Sequence, residues 1–362
     1  MLLIENCIDN IIEKNKQNKE KENNSKKEKT NNKKDLQNIT NFYKYINNNR
    51  SDLSSQLENF EYLDSGAESN VYKCNFKGNN NKYILKLIIN KKREKRNKLE
   101  IIIARKLKHQ NIINFLSFFQ IKDNESDCVI MEYGTFGNLR NFLKNIIKKN
   151  YFSESMLCYI ALQVLNGLKY CQNCKIVHHD LKPENIIINN QLNVKIIDYS
   201  VSLDYKNITS EDIQLNYCGT KFYMAPEVIK SETIKLKDIN KIDLFSLGVI
   251  LYKFAFCCYP FDLNHEDSND TIYEKIMNNN LEINENYEYS KYFVDFLKKL
   301  LEKDITKRIN INEALEHYWI KGADIIMNEK EKIFNANTFI ANLITDSFYN
   351  FNNFLKEDEK NL

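Results

Sequence analysis

The sequence predicts an α+β protein of two lobes, a small β-rich one followed by a larger, mostly helical one. Its 362 residues exceed one small compact domain and suit two lobes with tails. Strand-like runs come early, and after about residue 134 a 3.6-residue apolar repeat dominates. Hydrophobic residues at 43% and charged residues at 28% are ordinary for a soluble globular chain. With 3 Pro and 8 Gly, collagen-like and Gly/Pro-linker architectures are out. The 52 Lys+Arg against 49 Asp+Glu leave +3, which disfavours a dedicated nucleic-acid binder.

Taken in order, residues 1–57 read as an Asn/Lys-rich, largely disordered extension. From 13 to 57 there is hardly an apolar side chain before Phe42, too little to offset chain entropy. Ahead of it Ile4, Ile8, Ile11 and Ile12 share one helical face. The start has no basic and apolar signal-peptide pattern, and Leu2 excludes N-myristoylation. Residues 58–320 form the folded domain, with 58–133 as the small lobe and 134–320 as the large one. Tyr62–Lys73 and Lys82–Asn90 read as strands around a turn at Gly78-Asn79-Asn80. A helix follows over Arg93–Leu107 and a short strand over Cys128–Tyr133. The large lobe has helices at Leu139–Lys148, Ser153–Cys171, Ile242–Phe256, Lys291–Glu302 and Ile311–His317. Leu247–Phe261 is too short, and too interrupted by Lys253, to span a membrane. The tail, 321–362, carries an amphipathic helix at 338–355 with Ile340, Leu343, Ile344, Phe348 and Phe351 on one face. That helix is expected to lie on the large lobe or to bind a partner. Nine scattered cysteines indicate a reducing compartment, cytoplasmic with the nucleus also open. The one C-x-x-C, Cys171 to Cys174, lacks a second pair at zinc spacing and reads as the close of a helix.

The informative string is Val177-His178-His179-Asp180-Leu181-Lys182-Pro183-Glu184-Asn185, followed by Ile186-Ile187-Ile188. Thirteen residues after Asn185 comes Asp198-Tyr199-Ser200, behind the strand-like Val194-Lys195-Ile196-Ile197. Here the sequence resembles the eukaryotic protein kinases of serine/threonine type, with their H-R-D-x-K-x-x-N loop and D-F-G motif. The resemblance covers about residues 60–320 and implies the bilobal kinase fold, with ATP and Mg2+ as cofactors and proteins as substrates. Asp180 would orient the acceptor hydroxyl and take its proton, and Lys182 would neutralise the moving phosphoryl group. Asn185 and Asp198 would be the metal ligands. Lys182 and Thr220 match the serine/threonine branch and complete the implied catalytic set.

Upstream, Lys86 in Tyr83-Ile84-Leu85-Lys86 stands where the family has its V-A-I-K lysine. The run from Leu99 to Ile112 resembles the next helix and its exit, and its register with His109 selects Glu100 as the partner of Lys86. Aligned on Val71, the Gly-rich loop keeps only Gly66, in Asp64-Ser65-Gly66-Ala67-Glu68-Ser69-Asn70-Val71. ATP binding is therefore expected with a stiffer loop. Val129 to Gly134 looks like the hinge: Met131 as gatekeeper, and backbone groups of Glu132 and Gly134 for adenine. Leu63, Val71, Ile84 and Ile187 would enclose the ring. Cys218 to Glu227 resembles the end of the activation segment, Glu227 should pair with Arg308, and Asp243 should anchor the catalytic loop. Pro183, Pro226 and Pro260 all fall where the family places a proline.

Two departures carry expectations. His179 replaces the Arg that many relatives have before the catalytic Asp, and Asn216 replaces their phosphothreonine. That makes the chain a non-RD kinase needing no activation-segment phosphate, with Asn216 expected to hold the segment by neutral hydrogen bonds. Of the carboxylates that read upstream Arg in basophilic relatives only Glu184 remains, beside Asn138 and Lys253. The alternative reading is a pseudokinase scaffold, suggested by the degraded Gly loop and by Ser200 in place of the motif's Gly.

Overall fold

The computed structural model describes residues 56–65, 69–88, 94–121, 126–134, 137–146, 152–189, 193–283 and 289–332. The chain divides into two compact units, one of residues up to Lys108 with Ile113–Thr135, the other of His109–Ile112 with the chain from Phe136.

Among the described residues the first unit is a five-stranded antiparallel sheet with one helix. Its strands are β1 (Leu57–Ser65), β2 (Ser69–Phe76), β3 (Lys82–Ile88), β4 (Phe115–Ile121) and β5 (Ser126–Glu132), in spatial order β1-β2-β3-β5-β4. Strand alternation assigns the faces of β3. Leu85 and Leu87 join Tyr72, Cys74, Cys128 and Ile130 in one core. Ile88 points to the other face, where Ile101 of α1 (Glu94–Lys106) and Val129 bury it. Lys86 shares the parity of Ile88, so the period of two sends its ammonium towards α1. The strand expected over Tyr62–Lys73 is two strands, β1 and β2, a hairpin broken before Ser69. A sheet edge with shifted register at Tyr62/Asp64 hides that break from alternation alone. Strand β4 went unread because its register shifts between Phe115 and Ser117, which spoils the alternation.

The second unit is mostly helical. Its larger elements are α2 (Leu139–Ile146), α3 (Glu154–Asn173), α4 (Pro226–Ile229), α5 (Lys241–Phe256), α6 (Asn269–Asn278), α7 (Lys291–Leu300), α8 (Ile311–Leu315) and α9 (Tyr318–Lys332). Short strands β6 (Ile176–Val177), β7 (Ile186–Ile188), β8 (Val194–Ile196), β9 (Leu203–Asp204), β10 (Asp212–Gln214) and β11 (Thr233–Lys235) pair as β6–β9, β7–β8 and β10–β11. Ser153 caps α3 by accepting from the Met156 N–H at 3.2 Å. Fifteen of the sixteen residues of α5 are buried, the mark of a helix enclosed on all sides. Gly248 lets α7 close on α5, since a Cβ there would lie 2.9 Å from Leu300 Cβ and Leu301 Cγ. Glu154 fastens three helices: Oε1 accepts from Trp319 Nε1 at 2.7 Å and Oε2 from the Ser290 N–H at 2.8 Å. Cys171 is buried and Cys174 caps α3, so the C-x-x-C does close a helix. Helix α9 runs past residue 320 to Lys332. The N-terminal extension up to residue 55 and the expected helix at 338–355 lie outside the described residues.

Candidate active site

In the first unit Lys86 Nζ lies 2.6 Å from Glu100 Oε1, with the side chains 13% and 9% exposed. At that depth neither charge is well solvated, and the two opposite charges offset each other's burial. The β3–β5 register sets Ile84 opposite Met131 and Lys86 opposite Val129. Asn114 and Glu132 bind each other twice: the Glu132 N–H donates to Asn114 O at 3.1 Å, and Glu132 Oε1 accepts from the Asn114 N–H at 2.7 Å. Val71 and Ile84 are half-buried, Leu63 is exposed, and Gly134 is buried. Gly66 lies outside the described residues.

In the second unit the loop after β6 gathers the remaining polar residues. The Asp180 carboxylate accepts from Thr220 Oγ1 at 2.6 Å and from Lys182 Nζ at 2.7 Å, while Lys182 Nζ also donates to Thr220 Oγ1 at 2.8 Å. Asn185 Nδ2 donates to Asp180 O at 2.8 Å and to Oδ2 at 3.2 Å. These contacts orient the Asn185 amide so that its Oδ1 points elsewhere. Asp243 of α5 anchors the loop from beneath, accepting from the N–H groups of His178 at 2.8 Å and His179 at 2.9 Å. Asp198 follows a residue clamped to the same loop: Ile197 N–H donates to Asn185 O at 2.9 Å, and His178 Nε2 lies 2.9 Å from Ile197 O. His179 and Asp198 both have positive φ, 67° and 66°. Non-glycine residues hold that conformation only where their surroundings impose it. Ile187 is buried on β7.

Glu227 and Arg308 form a fully buried bidentate pair at 2.7 and 3.0 Å. Arg308 spends its other donors on the carbonyls of Glu302, Lys241 and Lys303 at 2.7, 3.0 and 3.3 Å. This satisfies the fork of the guanidinium, which a buried ion pair requires.

A family model for the protein kinase domain matches residues 57–320. The chain belongs to the protein kinase family. The kinase is 34% identical over 270 residues to myosin light chain kinase A of Dictyostelium discoideum, covering 72% of this chain and 86% of the relative. It is 31% identical over 264 residues to the probable serine/threonine-protein kinase mkcE of the same organism, 71% of this chain and 35% of that protein. To the MAP kinase kinase MKK1/SSP32 of Saccharomyces cerevisiae it is 29% identical over 294 residues, 78% of this chain and 55% of that one. The kinase thus spans between about a third and most of the length of these relatives. Relatives named as serine/threonine-protein kinases include mkcE and fhkB of Dictyostelium discoideum and Aurora-1 of Arabidopsis thaliana.

The kinase holds its activation segment in a way its motifs did not announce. Asn216, expected to tether the segment, is exposed and makes no hydrogen bond among the described residues. The contact comes two residues later, where Cys218 Sγ lies 2.9 Å from His179 Nδ1. Gly219, at φ +106°, lets the segment press on the catalytic loop, for a Cβ there would lie 2.6 Å from His179 O. Burial lowers the pKa of the His179 imidazole, against the opposing pull of Asp243. The second omission is Arg140 of α2, whose Nη1 lies 2.9 Å from Glu184 Oε1. A surface ion pair between segments 44 residues apart has no periodicity to betray it.

Proposed function

We propose that the kinase transfers the γ-phosphate of ATP to serine and threonine hydroxyls of protein substrates, with magnesium, and without needing a phosphate on its activation segment. The observation that carries the reading is the closed ring of Asp180, Lys182 and Thr220, with Asn185 bracing it. The carboxylate fixed by three donors supplies an oriented acceptor for the proton of an incoming hydroxyl. Lys182, already beside that carboxylate, places positive charge where charge moves during transfer. In the first unit, the Lys86–Glu100 pair supports a role for Lys86 on the nucleotide phosphates. In the same unit Leu63, Val71, Ile84 and Met131 are proposed to receive the adenine, with Glu132 and Gly134 offering backbone groups and Gly66 bringing backbone close to the phosphates.

Asn185 and Asp198 suit a magnesium ion. Both supply hard oxygen donors, and the Asn185 amide nitrogen is committed to Asp180, which leaves Oδ1 as its available donor. Among the described residues no three His, Cys, Asp or Glu side chains converge as a metal cluster. Magnesium held by one or two protein oxygens together with substrate phosphates needs no such cluster. When bound it would offset negative charge on the phosphates.

Independence from segment phosphorylation rests on His179. A buried imidazole with a lowered pKa is neutral at pH 7 and requires no counter-anion. The eight described cysteines are free thiols, which favours a reducing compartment, cytoplasmic or nuclear. No described helix is long and apolar enough to cross a membrane. The deciding experiment is transfer of labelled phosphate from ATP to a generic protein substrate, with and without magnesium. Magnesium-dependent labelling on serine or threonine is expected, and its absence from well-folded protein would sink the reading.

A further inference from the structure

Two lysines beside the Asp180–Thr220 contact are held by aromatic rings instead of carboxylates. Lys221 directly follows Thr220, and its Nζ lies 5.0 Å from the centroid of the Phe222 ring. Phe222 stacks on Tyr259 at 4.5 Å with 16° between planes. Lys253 of α5 lies against that same Tyr259 ring, 3.7 Å from its centroid, donates to its hydroxyl, and sits 5.9 Å from the Tyr223 ring. The Tyr223 N–H returns to Thr220 O at 2.9 Å, so the whole group is tied to the residue that touches Asp180. A ring face or a phenol positions an ammonium without cancelling its charge. Among the described residues, the one polar side chain that Lys221 hydrogen-bonds is the neutral amide of Asn269, at 3.2 Å.

Four carboxylates of this region are already engaged. Glu184 is taken by Arg140 at 2.9 Å, and Asp180 by Lys182 at 2.7 Å. Asp267 is taken by Lys275 at 2.9 Å, and Asp262 lies 3.6 Å from the same lysine. The hydrogen bond from Lys275 is the first cause that lowers the Asp267 pKa, and the charge of Lys221 adds to it from beyond ion-pair distance. Neither Lys221 nor Lys253 has an ion-pair partner among the described residues. The patch therefore carries two positive charges without an ion-pair partner, tied through Tyr223 and Thr220 to the proposed proton acceptor.

We propose that Lys221 and Lys253 read acidic residues beside the phosphoacceptor, so that the preferred substrates are serine or threonine sites flanked by Asp or Glu. The inference rests on the kinase reading and extends it to a substrate class. Pre-positioned cations cost little entropy to engage a carboxylate, and they repel a basic neighbour at the same place. The preference is electrostatic and must weaken as salt rises.

The test uses the full chain and synthetic peptides with one serine, flanked on both sides by Glu, by Gln or by Lys. The Glu peptide should show a KM about 3- to 10-fold below the Gln peptide, as expected of one or two solvent-exposed charge pairs. The Lys peptide should be the poorest. Lys221→Gln and Lys253→Gln should each shrink the Glu-to-Gln ratio, Lys221→Arg should keep it, and Lys221→Glu should shift preference towards the Lys peptide. Anisotropy of the same peptides carrying a dye reads binding without chemistry. Transfer to Glu and Gln peptides at equal kcat/KM overturns the inference and leaves the kinase reading standing. Binding that favours the Glu peptide through Lys221, without transfer to any peptide, overturns the kinase reading and supports the preference. Equal binding, or none, with no transfer overturns both.

Discussion

Thr220 and Lys182 meet the Asp180 carboxylate from the activation segment and the catalytic loop, so a side chain 40 residues away helps to aim the proposed base. Thr220→Ala should lower kcat by about ten- to a hundredfold, and Thr220→Ser should restore most of it, since only the hydroxyl is used. Steady-state kinetics with one peptide decides this; a Ser variant as poor as Ala would point to the methyl instead. Asp198→Asn should reduce transfer by at least about a hundredfold with an unchanged circular dichroism spectrum, because it removes a charged oxygen donor. Lys86→Met should fall comparably and leaves the Glu100 carboxylate buried without its cation. Near-normal turnover by either variant would remove these residues from the proposed roles. At this scale the sequence was most readable where chemistry fixes residue type and spacing together. The pairing of Glu100 with Lys86 followed from register with His109, and the contacts among Asp180, Lys182 and Asn185 join residues of one short string. What it hid were contacts made by side chains without a fixed role. Cys218 carried no cue that it would face His179, and Asn216, chosen by counting back from Glu227, faces solvent.

Elements follow the same division. Helices α3, α5 and α7 were legible because each buries a broad stripe or its whole surface. Helix α6 was not, since only Ile272 and Ile276 of its ten residues are buried, too narrow a stripe for the period to emerge. Strands β10 and β11 escaped in the same way, being three residues each with one inward side chain at most. The activation segment meets the catalytic loop through a thiol–imidazole contact, a close backbone approach and the Thr220 hydroxyl on Asp180. Protein made in bacteria, treated with phosphatase and found unmodified across residues 198–227 by mass spectrometry, should therefore remain active. Activity that appears only after phosphorylation of Thr209, Ser210 or Tyr217 would defeat this. Gly219→Ala should be more damaging than its size suggests. It adds a Cβ 2.6 Å from His179 O at a φ of +106°, a conflict worth about 1–3 kcal/mol of strain, and it should cut activity more than global stability.

At the scale of the whole molecule, stability in the second unit leans on the buried Glu227–Arg308 pair and on imidazoles kept neutral. Arg308→Ala strands the Glu227 carboxylate and should cost about 3–5 kcal/mol, read as a lowered denaturation midpoint. Burial lowers the pKa of His109, His179 and His317 from 6.5. The unfolded chain then binds protons before the native one does as pH falls. Stability should be full above about 6.5 and decline as the pH descends through the lowered native values, so Tm should drop between pH 6.5 and 5. A Tm that rose on acidification over that range would contradict the assignment. Trp319 makes both measurements selective. It is the chain's single tryptophan, fully buried against Phe293 and Phe296, with its indole N–H on Glu154. Intrinsic emission excited at the red edge is consequently a private gauge of the helical unit, silent about the five-stranded sheet. Should the two units melt separately, circular dichroism would register two steps and the fluorescence trace only one.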